Sequence, residues 1–100
     1  MILEKAILKV IKGEEGNFER DFAIASPFIQ SIPGYISHSL RKCIEEENKY
    51  LLLVEWEKLE DHTIGFRESE AYLDWKRLLH HYYNPFPVVE HYEMVLEYKK

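Results

Sequence analysis

The stretch "YLLLVEW", Tyr50–Trp56, decides the fold. Successive side chains of an extended strand point to opposite faces, so Tyr50, Leu52, Val54 and Trp56 face one way and Leu51 and Leu53 the other. A strand with one wet face would alternate apolar with polar residues. Here both faces are apolar and both need cover. The N-terminal run repeats the pattern more weakly, with Leu3, Ile7 and Ile11 opposing Ala6, Leu8 and Val10. A chain of 100 residues makes one domain, spanning 1–100. Its helices can cover only one face of a sheet. The economical cover for the second face is another copy of the sheet, so the expected assembly is a homodimer packed through the face that carries Leu51 and Leu53.

The rest of the chain supplies the partners of that strand. Ile2–Ile11 is β-rich and stops at Lys12-Gly13. Asn17 is placed to cap a helix whose apolar stripe is Phe18, Phe22, Ala25, Ile29 and Ile32. Pro27 falls inside the stripe and predicts a break or kink near Ser26, with Pro33-Gly34 as the stop. Tyr35–Glu45 and Tyr50–Leu59 form a hairpin around "EEENK". Asp61 is placed to cap a short helix through Phe66, and Ser69 a longer one over Glu70–Tyr83, closed by Asn84-Pro85. Val88–Tyr98 is the last strand. The order βαββαβ predicts an α+β, ferredoxin-like sandwich: two helices on one face of a four-stranded antiparallel sheet.

Composition narrows the function. The formal charge is −5 and no Lys/Arg-rich run occurs, so nucleic acid is not an expected partner. Cys43 is the single cysteine, which excludes an intrachain disulfide and any multi-cysteine zinc or iron–sulfur site. It fits a reducing compartment. No uncharged leader and no apolar run of about 20 residues is present, so the expected location is cytoplasmic, with no membrane partner. The four glycines, Gly13, Gly16, Gly34 and Gly65, are scattered and make no phosphate loop.

The conspicuous histidines lie in "RLLHHYYNPFP", Arg77–Pro87. Adjacent helical residues diverge by about 100° and cannot both address one site. A helical metal pair would use a spacing of three or four. No metal is therefore expected there: His81 reads as a surface residue, and His80 as an edge residue able to border a pocket. His62 lies one helical turn before Phe66 and shares its face. His38 alternates with Ile36 and Leu40 and points to an apolar sheet face. His91 follows Val89 and is expected at the dimer face or the surface. Phe22, Trp56, Phe66, Trp75, Tyr82, Phe86 and Tyr92 serve equally as core or as walls for a flat ligand.

The segment "LLVEWEKLEDHTIGFRESEAYLDW", Leu52–Trp75, resembles the antibiotic biosynthesis monooxygenase family: a strand ending in Trp56, a short helix with His62 and Phe66, then Ser69 and Tyr72 opening the long helix. "IPGYISHSL", Ile32–Leu40, resembles the same family's junction between first helix and second strand. The resemblance implies a dimeric α+β barrel with a pocket between helices and sheet in each monomer. Family members include cofactor-independent oxygenases of aromatic polyketides, haem-degrading enzymes and enzymes that process quorum-signal molecules. The haem-degrading branch requires an Asn on the first strand, a Trp on the short helix and a His on the long helix. An ungapped alignment puts Ala6, Phe66 and Lys76 there, so haem chemistry of that kind is not expected.

The resemblance implies a monooxygenase that uses no cofactor and acts on a small hydrophobic or aromatic molecule. His62 is the first choice of proton acceptor and His38 the second. The expected pocket residues are Phe22, Trp56, Phe66, Trp75, Leu79 and His80. The alternatives are a non-catalytic, ligand-binding or stress-associated dimer of the same fold, and a signal-processing, isomerase-like enzyme.

Overall fold

The computed structural model describes residues 1–100. Strand β1 is Ile2–Lys9, helix α1 Glu15–Gln30, β2 Tyr35–Lys42, β3 Lys49–Trp56, helix α2 Glu70–Leu79 and β4 Val89–Glu93. A single π-helical turn, Asp61–Phe66, precedes α2, and a 3₁₀ turn, His80–Tyr82, follows it. The sheet order is β2-β3-β1-β4, antiparallel throughout, which is the ferredoxin-like arrangement. The two apolar strands β1 and β3 pair in the centre, Ala6 opposite Leu52 and Leu8 opposite Tyr50.

Both helices lie on one face of the sheet. Against them are buried Ala6 and Leu8 from β1, Val10 just beyond it, and Tyr50, Leu52, Val54 and Trp56 from β3. Helix α1 contributes Phe18, Phe22, Ala25 and Ile29, the stripe expected from its spacing. Phe18 is the hub, with Phe22, Tyr50, Tyr82 and Tyr83 packed around it at ring distances of 5.0–6.2 Å. The opposite face has no cover within the chain. Leu3, Leu51 and Leu53 are half-buried there, and Ile7 is 39% exposed.

Several local expectations are corrected. Pro27 does not break α1, which runs on to Gln30. Pro27 costs a backbone donor in the last turn only, and the buried side chains Ala25 and Ile29 on either side of it hold the helix down. The Ser26 hydroxyl caps the Phe22 carbonyl at 3.0 Å. Helix α1 starts before Asn17, which bonds back to Glu14 at 2.7 Å instead of capping. Asp61 does not cap the π turn either; its carboxylate accepts from the Lys58 N–H at 3.0 Å and closes the preceding turn. That carboxylate occupies the space beside Gly34, where a Cβ would lie 2.0 Å from it, and Gly34 has a φ of +92°. Ser69 caps α2 as expected, accepting from the Tyr72 N–H at 3.1 Å. Strand β4 ends at Glu93 rather than Tyr98; its pairing with β1 runs from Ala6–Val89 to Ile2–Glu93 and goes no further. Met94, Val95, Leu96 and Tyr98 continue past it as exposed apolar residues.

Candidate active site

A cavity of about 400 Å³ lies between the helix layer and the β1/β4 side of the sheet. Glu4, Ala6 and Leu8 of β1, Leu52 of β3 and Val89 of β4 form its floor. The π turn contributes His62 and Phe66, with Arg67 just beyond; α2 contributes Tyr72 and Trp75; the chain after α2 contributes His80, Tyr83, Phe86 and Pro87. Ten of its fifteen lining residues are hydrophobic, which suits an apolar or aromatic guest. A wider recess of about 760 Å³ between the β1–α1 loop and the β2–β3 hairpin has no hydrophobic lining at all. Its Lys9 and Glu46 already pair with each other at 2.7 Å.

The polar heart of the cavity is a line of four side chains. Glu4 sits on the inward face of β1, and the Trp56 indole N–H donates to its Oε1 at 3.0 Å. His62 Nε2 lies 3.4 Å from the same oxygen. His62 Nδ1 is 2.8 Å from Nε2 of His91, opposite Glu4 in the β1–β4 register. Two proton arrangements satisfy the line. With Glu4 ionised, His91 Nε2–H donates to His62 Nδ1 and His62 Nε2–H points at the carboxylate. With Glu4 protonated, the direction reverses. The line thus joins a buried carboxyl to a half-buried imidazole at the edge strand. The rings are held by stacking, His62 on Trp56 at 5.5 Å and 19°.

Burial sets the protonation states. Desolvation raises the Glu4 carboxyl to about 7, opposed by the Trp56 hydrogen bond and the Arg67 charge. Desolvation lowers His62 to about 3 and His80 to about 4, and lowers His91 as well. Near neutral pH the imidazoles are therefore uncharged, and Glu4 is the group poised to exchange a proton.

The expected site residues divide. His62, Phe66, Trp75 and His80 line the cavity. Trp56 and Leu79 are buried behind it, Trp56 as the support of His62. Phe22 packs between Trp75 and His38, at 5.3 and 5.9 Å, and does not reach the cavity. His38 lies in a separate cluster, where Ser26 Oγ is 3.0 Å from Nε2 and the Tyr35 hydroxyl 2.5 Å from Nδ1. Both its nitrogens are engaged and it touches no cavity wall. His91 is corrected: it faces the helices and not the open side of the sheet. His81 is exposed beside Tyr82. Glu4 is the residue that the sequence analysis missed. Its signal was present, since the inward series Val10, Leu8, Ala6 continues in steps of two to position 4. Ala6 and Phe66 stand in the cavity wall where haem degraders need Asn and Trp, and Lys76 is outside it. No group of three or more His, Cys, Asp or Glu side chains is arranged to hold a metal ion.

A ferredoxin-like sandwich with an aromatic cavity between helices and sheet defines the class to which the comparisons also point. The antibiotic biosynthesis monooxygenase family model matches residues 1–78, and the chain belongs to that family. It is 57% identical over 95 residues to the uncharacterized protein YczJ of Bacillus subtilis (strain 168), covering 95% of this chain and all of YczJ. Among solved structures it is similar to a candidate antibiotic biosynthesis monooxygenase of Bordetella bronchiseptica, with a TM-score of 0.90 and 33% identity over 95% of this chain and 97% of that one. SnoaB, a cofactor-independent oxygenase from Streptomyces nogalater, shares the fold at a TM-score of 0.75 and 18% identity, covering 98% of this chain and 94% of SnoaB. No helix is long and apolar enough to cross a membrane.

Proposed function

We propose that the protein is a cofactor-independent monooxygenase of a small hydrophobic or aromatic molecule, with Glu4 and His62 as its proton-handling pair. The observation that carries this is the convergence of a carboxyl raised to about 7 and a neutral imidazole on one apolar cavity. A substrate with an acidic C–H would lose its proton to the Glu4 carboxylate. His62 and His91 form the path along which that proton leaves. The substrate carbanion reduces oxygen, and the resulting hydroperoxide sheds water to leave a carbonyl: R₂CH₂ and O₂ become R₂C=O and H₂O. The chain supplies a partly dry site, the proton acceptor and the aromatic walls that fix the ring plane.

His62 alone is a weak acceptor at a value of about 3, so the carboxyl takes the first proton and the imidazole acts through it. The functional unit is a homodimer through the open sheet face, supported by the uncovered Ile7, Leu51 and Leu53 and by the exposed apolar tail from Met94 to Tyr98. The lone thiol Cys43 fits a cytoplasmic location.

The test is oxygen uptake with anthrone-like and quinol compounds and no added cofactor, followed by mass spectrometry of the product. The expected product has gained one oxygen atom and lost two hydrogens. A compound that binds in the cavity without consuming oxygen would favour a ligand-binding dimer instead.

A further inference from the structure

The charges around the cavity do not balance. Glu4 is its only carboxyl, and that oxygen is already engaged by Trp56. Against it stand three donors that the chain leaves unused. Arg67 makes no ion pair and its guanidinium no hydrogen bond, whereas Arg20 pairs with Asp21, Arg77 with Asp74, and Arg41 bonds Ser39. The phenol groups of Tyr72 and Tyr83 also line the cavity without a partner in the chain. Arg67 is exposed and lines the cavity at its solvent side, and its charge is felt by Glu4, His62, Tyr72 and His91.

Arginine is suited to this duty. Its guanidinium stays charged, is weakly hydrated and presents paired N–H groups that match a carboxylate or an enolate. The position is fixed by the π turn, because the Arg67 N–H bonds the His62 carbonyl at 3.2 Å. Phe66, one residue earlier, is in the aromatic wall of the same cavity.

We infer that the cavity selects a small aromatic anion, a carboxylate or an enolate, and that Arg67 is the residue that selects it. This deepens the proposed function and rests on the cavity being the ligand site. In the oxygenase reaction the same charge would favour the carbanion over its neutral parent.

The experiment compares 2-naphthoate with its neutral isostere 2-naphthamide, titrated at about pH 7 against the tryptophan fluorescence of the full chain. The wild type, Arg67→Gln and Arg67→Lys are measured side by side. Naphthoate is expected to bind about tenfold or more tighter than naphthamide, the scale of a charge-assisted contact. Arg67→Gln should erase that preference by weakening naphthoate binding, and an unchanged far-ultraviolet circular dichroism spectrum shows that the variant is folded. Arg67→Lys should retain part of the preference. Equal affinities in the wild type, or a preference that survives Arg67→Gln, overturn the anion assignment while the cavity stands as a ligand site. Failure of both probes to bind the wild type overturns the cavity assignment and this inference with it.

Discussion

On one face of the sheet Ala6, Leu8, Leu52 and Val54 lie beneath two helices; on the other, Ile7, Leu51 and Leu53 lie beneath nothing. The residues alternate along the same two strands and have the same chemistry. What differs is the cover. The helix side tolerates a carboxyl at Glu4 because Trp56 donates to it and His62 stands beside it. The open side interleaves its leucines with Lys5, Arg41 and Glu55 and builds no such network. One face is a finished interior with chemistry set into it; the other is apolar and uncovered.

The sharpest way to break this comparison is to place the same charge one residue apart. Leu52→Asp puts an unpaired carboxylate into the core and should cost more than about 4 kcal/mol, abolishing the cooperative thermal melt. Leu53→Asp should keep the far-ultraviolet circular dichroism of the fold and convert the dimer to monomer by sedimentation at micromolar concentration. A wild type that sediments as a monomer would remove the interface from the open face altogether.

Next in size is Glu4→Gln. With an active compound in hand, the turnover rate should fall by about a hundredfold or more, the scale of a lost general base. The acid limb of the wild-type rate profile, centred near the Glu4 value of about 7, should vanish with it. Stability should move the other way. The folded carboxyl is raised from 4.5 to about 7, so the native chain holds a proton there that the unfolded chain has released. That contribution is fully present below about pH 4.5 and is lost as pH rises through 7. Glu4→Gln cannot ionise, so it should gain on the wild type by about 3 kcal/mol across that window, at 1.36 kcal/mol per pH unit. Parallel denaturation curves at both ends of the window would show instead that Glu4 is solvated in the native state.

His62→Ala should slow turnover by about tenfold, or about 1.4 kcal/mol of barrier, with the residual rate carried by Glu4. A loss of threefold or less would take His62 out of the proton path. The smallest effect belongs to His81→Ala. His81 is exposed and faces no wall of the cavity, so its stability should change by under about 0.5 kcal/mol and its rate hardly at all. A larger loss there than for His62→Ala would mean that proton transfer runs through the end of α2 and not through the π turn.

The sequence by itself determined the order of elements, the inward faces of β1, β3 and α1, and the Ser69 cap. Each of these is a repeat of two or about 3.6 residues, or a side chain bonded within a single turn, and such patterns are local. It also placed His62 and Phe66 on one face, because four residues of helix suffice to do so. Only the tertiary structure decided what His62 meets. Glu4 and Trp56 approach it because the β1–β3 register sets Ile2 opposite Trp56 and Glu4 opposite Val54. His91 completes the line because β4 returns antiparallel beside Glu4. The same packing turned His38 to Ser26 and Tyr35, away from the cavity. A carboxyl value near 7 belongs to none of these residues alone. It arises from burial, which depends on every element that closes over the site and is therefore invisible in any stretch of sequence read in isolation.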